Sequence, residues 1–173
     1  MCIRDRYTGP TLMELLESLP GADAEDDAAA SFRFPVQLVV RPQGALAPGL
    51  DPEVFRDYRG YAGQVVAGTV RPGDAVAVLT PGQPARTTTV VGVDAAGESL
   101  EEASSPQSVV LRLADEVDVA RGDTIAAADT APRPTTEVAA ALCWVSAAPL
   151  RVGQQVLVKH GTAVVRALSL IHI

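Results

Sequence analysis

The stretch "YRGYAGQVVAGTVRPGDAVAVLTPG", residues 58–82, sets glycines 60, 63 and 68 among strand-forming residues and follows them with two Pro-Gly pairs. Pro72-Gly73 and Pro81-Gly82 carry the chemistry of tight turns, proline fixing one backbone angle and glycine accepting the other. Glycine inside a strand weakens it, so its presence marks a bend or a close approach of another backbone. A strand that coils sharply around a small barrel needs positions without a Cβ, and Gly60, Gly63 and Gly68 supply them. The stretch therefore reads as scaffold.

The surrounding sequence has the same period of two. Strands are expected at 32–40 (FRFPVQLVV), 63–70 (GQVVAGTV), 75–79 (AVAVL), 86–93 (RTTTVVGV), 108–114 (SVVLRLA) and 123–127 (DTIAA), with turns at the Pro-Gly pairs and over 94–97. Several short strands punctuated this way predict an all-β fold, an antiparallel barrel over residues 32–130. After the proline-marked join "APRPTTE" (131–137), strands are expected again at 138–145 (VAAALCWV), 155–161 (QVLVKHG) and 163–167 (AVVRA). R-V-G-Q-Q-V-L-V (151–158) echoes R-P-G-D-A-V-A-V (71–78), which predicts a second barrel starting at 131 and broken off at 167.

Ahead of the strands, "PTLMELLESL" (10–19) places Leu12, Leu15, Leu16 and Leu19 at i, i+3, i+4 and i+7, a short amphipathic helix that Pro20-Gly21 stops. Pro10 suits its first turn. The acidic, low-complexity segment that follows has nothing to bury, so residues 7–20 read as the end of one domain and 21–31 as a linker. The extreme ends form a third kind of sequence. "MCIRDR" can be encoded by a DNA word whose reverse complement encodes Leu-Ser-Leu-Ile-His, and the chain ends "LSLIHI". Residues 1–6 and 168–173 are accordingly expected to be sequencing-adapter scars rather than natural protein.

Composition narrows the function. The chain carries 14 Lys and Arg against 21 Asp and Glu, a net charge of -7. Without the scars the balance is 12 against 20. Such a surface repels phosphate backbones, so nucleic acid is not an expected partner. No apolar run approaches a membrane span, and Cys143 is the one cysteine outside the scars, which fits a reducing cytoplasm.

Chemical motifs are sparse. A phosphate-binding loop needs G-x-x-x-x-G-K-[ST], and the single lysine, Lys159, stands between "QQVLV" and His160, so no such loop exists here. "ARGDT" (120–124) holds an Arg-Gly-Asp tripeptide, read as a tight turn between strands rather than an adhesion motif. Asp115, Glu116 and Asp118 lack the spacing of a calcium loop and read as a solvated strand end. Cys143 beside Trp144 reads as core. His160 has no second ligand at useful spacing and reads as a polar turn residue. "EVFRDY" (53–58) reads as a helical turn whose aromatics pack on the barrel rim. No catalytic or metal-binding constellation is expected.

Together these phrases resemble a known family. "YTGPTLMELLESL" (7–19) is similar to the last helix of the nucleotide domain in translation-factor-type GTPases. "RFPVQLVVRP" (33–42), "FRDYRGYAGQVVAGTVRPGDAVAVL" (55–79), "SVVLRLADEVDVARGDTIAA" (108–127) and "CWVSAAPLRVGQQVLVKHGT" (143–162) resemble the GTPase subunit of bacterial sulfate adenylyltransferase. The segment 43–58 is longer than the family's usual connection. The resemblance implies a translation-factor-like barrel as second domain (32–130), the start of a third (131–167), and a helix left from the G domain. It implies a parent that hydrolyses GTP with Mg and drives a catalytic partner subunit making adenosine 5′-phosphosulfate from ATP and sulfate. It allows for an adenosine-phosphosulfate kinase domain fused downstream. GTP and Mg would bind outside this chain. Tyr7, Arg59, Tyr61, Arg121 and Asp123 stand within the resembling phrases and are the candidate interdomain or partner contacts.

Two other classes compete. A translation elongation factor uses its second-domain barrel to bind aminoacyl-tRNA, and a free-standing barrel could be a plain interaction module. The acidic balance and "RGYAG" disfavour the first. With no phosphate loop, the chain should give no heat of binding when titrated with GTP and magnesium. A micromolar or tighter dissociation constant would overturn that expectation.

Overall fold

The computed structural model describes residues 9–18, 30–42, 46, 48–49 and 51–170. Tyr7, both terminal hexapeptides except residues 168–170, and most of the acidic linker lie outside them. The first element, α1 (Leu12–Ser18), opens on a reciprocal cap. The Glu14 amide donates to Thr11 Oγ1 at 3.2 Å and the Thr11 amide donates to Glu14 Oε2 at 2.7 Å. Pro10 therefore precedes the cap instead of sitting in the first turn. Leu12, Leu15 and Leu16 are exposed.

The fold is all-β and antiparallel apart from α1 and a one-turn α2 (Pro52–Phe55), which Asp51 caps by accepting from the Glu53 amide. Among the described residues nine strands follow one another from 33 to 127: β1 (Arg33–Val40), β2 (Gly60–Gln64), β3 (Thr69–Val70), β4 (Ala75–Leu79), β5 (Arg86–Ala95), β6 (Glu98–Leu100), β7 (Ala103–Ser104), β8 (Ser108–Leu113) and β9 (Thr124–Ala127). Hydrogen-bonded neighbours run β4-β9-β1-β2-β8-β5, and β5 pairs again with β4, so the pairings return to their start. Phe34, Val36, Tyr61, Val76, Val90, Leu111 and Ile125 are all but sealed from solvent inside this ring. Short, curved strands with a filled interior are the arrangement that the glycine-rich sequence favours.

Two bulges tune which residues face inward. Along β5, Thr88 and Val90 point in, the register slips between Val90 and Gly92, and Val93 becomes the next buried valine. A second slip lies between Val36 and Leu38 on β1, beyond which Leu38 is exposed. The strand expected over 63–70 is broken after Gln64. There the chain turns across β1, with Arg33 donating to the Ala67 carbonyl at 2.9 Å and accepting from the Val66 amide at 3.0 Å. Gly68 takes φ +73°, and any Cβ there would collide with the Phe32 backbone.

The echo between residues 71–78 and 151–158 is structural as well as verbal. In both copies the fourth residue's side chain accepts from the first residue's amide, Asp74 from Arg71 at 2.8 Å and Gln154 from Arg151 at 3.1 Å. In both, the glycine has positive φ and its amide donates across the hairpin at 2.7 Å, Gly73 to Val90 and Gly153 to Ser169. The second copy leads into β10 (Gln155–His160), paired with β11 (Ala163–Leu168) as β4 is with β5. Leu168 and Ser169, expected to belong to a scar, complete this ladder through backbone bonds that do not depend on their side chains.

The strand expected at 138–145 does not form, and Cys143, expected in a core, is exposed. A strand persists only with a neighbour to take its ladder bonds, and β10 and β11 use each other. The segment settles instead for a local contact, Trp144 Nε1 donating to the Ala148 carbonyl at 2.7 Å.

Gly63 gives the sharpest test of the packing. A Cβ there would stand 2.5 Å from the Pro35 carbonyl oxygen and 2.9 Å from Phe34 Cζ, whereas one at Gly82, at φ +75°, meets nothing. Gly63→Ala should therefore cost about 2–3 kcal/mol, against about 1 kcal/mol for Gly82→Ala. Urea midpoints of the two variants check it, and equal losses would show that the close approach is not what requires glycine.

Candidate functional site

Arg59 and Tyr61 meet at the start of β2. Two residues apart on extended chain, they share a face. The Tyr61 ring is buried, its hydroxyl donates to the Val117 carbonyl at 3.0 Å, and the Arg59 guanidinium lies 5.5 Å from the ring centroid. That is cation–π distance. Burial pushes the Tyr61 phenol up from its ordinary pKa, a rise that the positive charges of Arg59 and Arg41 oppose.

The strap that connects β8 to β9 completes this corner. In "DEVDVA" Val117 and Val119 enter the core cluster while Glu116 and Asp118 face water. The Thr88 hydroxyl donates to Asp115 Oδ2 at 2.7 Å, and Arg86 donates to the Asp118 carbonyl. Asp115 is thus held by Thr88 while Glu116 and Asp118 face water, and no group of three or more His, Cys, Asp or Glu that could hold a metal occurs among the described residues.

Arg121 and Asp123 belong to the adjoining turn, as the tight-turn reading of Arg-Gly-Asp expects. Asp123 is 4% exposed, and its Oδ2 accepts from the Ala120 amide at 2.9 Å. Gly122 at φ +104° donates to the Val36 carbonyl at 3.2 Å, and the Val36 amide donates to the Asp123 carbonyl at 2.9 Å. Asp123 is thereby occupied in closing β9 onto β1, while Arg121 is exposed. Of the five expected contact residues, the structure groups Arg59 with Tyr61, sets Arg121 on the neighbouring turn, turns Asp123 inward, and leaves Tyr7 outside the described residues. A separate hollow of about 350 Å³ opens between Phe32, Val70, Val76, Ala127 and Asp129.

Sequence reasoning missed one polar network. Asp94 on β5 accepts from Ser99 Oγ at 2.7 Å and from Arg112 Nε at 2.8 Å, and Tyr58 reaches it from the loop after α2 at 3.4 Å. The Arg112 guanidinium lies over Gly92, where a Cβ would collide with it. Gly92 in a run of Thr and Val was the available signal. Phe55 and Tyr58 pack 5.6 Å apart. Burial opposes the Asp94 charge, but hydrogen bonds from Ser99 and Arg112, with the Arg112 charge, outweigh it and hold the carboxyl below its ordinary value. Burial and the Asp94 charge push the Tyr58 phenol up.

No helix among the described residues is long and apolar enough to cross a membrane. No protein-family model matches the chain. The chain is 40% identical over 162 residues to a bifunctional enzyme CysN/CysC of Mycobacterium tuberculosis, covering 93% of this chain and 24% of that protein. It is 40% identical over 156 residues to sulfate adenylyltransferase subunit 1 of Alteromonas mediterranea, 90% of this chain and 30% of the relative. The corresponding protein of Methylorubrum populi is 39% identical over 162 residues, 94% and 31% respectively. The chain thus spans 24–31% of the length of these relatives, and their names agree with the resemblance carried by its barrel phrases.

A depressed Asp94 contributes stability that is full above the unfolded carboxyl value and is lost as pH falls through the folded one. Asp94→Asn should therefore be less stable than the parent near pH 7, with the gap narrowing from about pH 5 to pH 3. Urea midpoints across that window check it, and a constant gap would show that the Asp94 charge is not what matters.

Proposed function

We propose that the chain is a segment of the GTPase subunit of a cytoplasmic sulfate adenylyltransferase, the barrel region that follows the nucleotide domain. The supporting observation is identity near 40% across nine-tenths of this chain to proteins named for that activity. In this reading residues 7–20 end the G domain and 21–31 link it to the second domain at 32–130. Residues 131–167 begin the third, and the hexapeptides at the ends are scars. The parent couples GTP hydrolysis with Mg to formation of adenosine 5′-phosphosulfate from ATP and sulfate by a partner subunit. The bifunctional relatives support a second activity fused downstream in some members.

The segment's own work is mechanical. Its ring is a filled core, and a fold of this kind hosts function only through what is placed on it. Arg59, backed by the buried Tyr61 ring, and Arg121, on the turn that Asp123 fixes, form the face that docks the G domain or the catalytic subunit.

The test uses the full-length protein encoded by the natural gene. It should co-purify with the catalytic subunit and raise ATP- and sulfate-dependent pyrophosphate release when GTP is supplied. A full-length protein that ignores that subunit and instead protects aminoacyl-tRNA from hydrolysis would make it an elongation factor.

A further inference from the structure

Two arginines converge on one pinned residue. Arg86 donates to the Asp118 carbonyl and, at 3.2 Å, to Thr80 Oγ1. Arg59 approaches the Asp118 carboxylate at 3.9 Å, the outer limit of an ion pair. The two partners differ sharply in setting: the Asp118 side chain is 98% exposed, the Arg59 side chain 21%. An ion pair so long and so wet contributes little. Arg59 therefore holds a largely desolvated charge, backed by the Tyr61 ring, with a poor counter-ion. The Nε atoms of Arg59 and Arg86 are buried without a hydrogen-bond partner among the described residues. A guanidinium in that state is under-compensated.

We propose that Arg59 and Arg86 form a platform that receives a carboxylate side chain of an acidic protein partner; in the free chain the Asp118 carboxylate stands beside Arg59 alone, while Arg86 is held by the Asp118 carbonyl and Thr80 Oγ1. The planar fork of arginine matches a carboxylate. Tyr61, fixed at both ring and hydroxyl, keeps Arg59 from following Asp118 into solvent. Neither arginine lines the hollow between β4 and β9. An open platform offers a small free anion few contacts and a folded partner many. The chain's net charge of -7 repels such a partner at long range. At physiological salt that field decays within about 8 Å, and the local pair of arginines governs contact. The inference rests on the docking role proposed above.

The test is titration of the full 173-residue chain, followed by NMR of its arginine Nε–H signals at physiological salt, with a tetraglutamate peptide as probe. The peptide should shift the Arg59 and Arg86 signals saturably. Asp118→Asn should bind it about twofold more tightly, because a weak resident competitor and its like charge are gone. Arg59→Gln should lose binding, and Arg59→Lys should weaken it too, since an ammonium keeps the charge without the fork. Backbone amide spectra verify that each variant is folded. Glutarate or phosphate binding as tightly as the peptide would make this a free-anion site instead. Unchanged affinity in Asp118→Asn, or no shift at all in the parent, would overturn the proposal. Because no nucleotide, sulfate or second subunit is needed, failure here leaves the sulfate-activation reading standing, and failure of that reading leaves this binding intact.

Discussion

The change of partners along β1 organises everything around it. Residues 33–35 pair with β9, and residues 36–40 pair with β2. The handover falls at Pro35, which has no amide to donate and so cannot hold a ladder on both sides. The next amide, that of Val36, reaches the Asp123 carbonyl at the start of β9. At the same point the Pro35 carbonyl presses so close to Gly63 that a side chain there would have no room. The close approach of β2, the burial of Phe34 and the turn at Asp123 are thus one packing solution seen from three strands.

The arrangement of charge follows from that of the strands. Valines of the 115–120 strap are drawn inward by the core, and strand periodicity then forces the intervening acids outward. What resembles an acidic cluster in the sequence is the solvated side of a strap whose other side is hydrophobic. The arginines behave differently. Arg59, Arg86 and Arg112 lie partly buried, beside the Tyr61 ring, the Thr80 hydroxyl and Gly92 respectively.

Legibility in the sequence tracked the range of the interaction. The strand at 75–79 could be read from its valines to the residue, and those at 33–40, 108–113 and 124–127 to within one, because a buried face imposes alternation. β6 and β7 left no trace, since three residues and two residues make no period and exist only through pairing with β5 and β3. The apolar run at 138–145 had the right composition and no neighbour, which composition cannot reveal. Of the candidate contacts, Arg59 and Tyr61 were legible as a pair because they share a phrase. Arg86 and Asp118, 27 and 59 residues from Arg59, were not, because only the fold brings them to it. The helical turn at 53–58 and its aromatics were legible, but the meeting of Tyr58 with Asp94 and Arg112 was not, for the same reason.

The repeated turn has a further meaning. The same hydrogen-bonded loop, capped from the same position by Asp74 in one copy and Gln154 in the other and with a left-handed glycine in both, occurs once against a sealed core at 71–78 and once on a more open hairpin at 151–158. Val76 and Val78 in the first are nearly inaccessible, whereas their counterparts in the second are half-buried at Val156 and 41% exposed at Val158. One molecule thus carries the same local structure in two environments. What the two copies share is local: a side chain three residues along that closes on the opening arginine's amide, and a left-handed glycine whose amide crosses the hairpin.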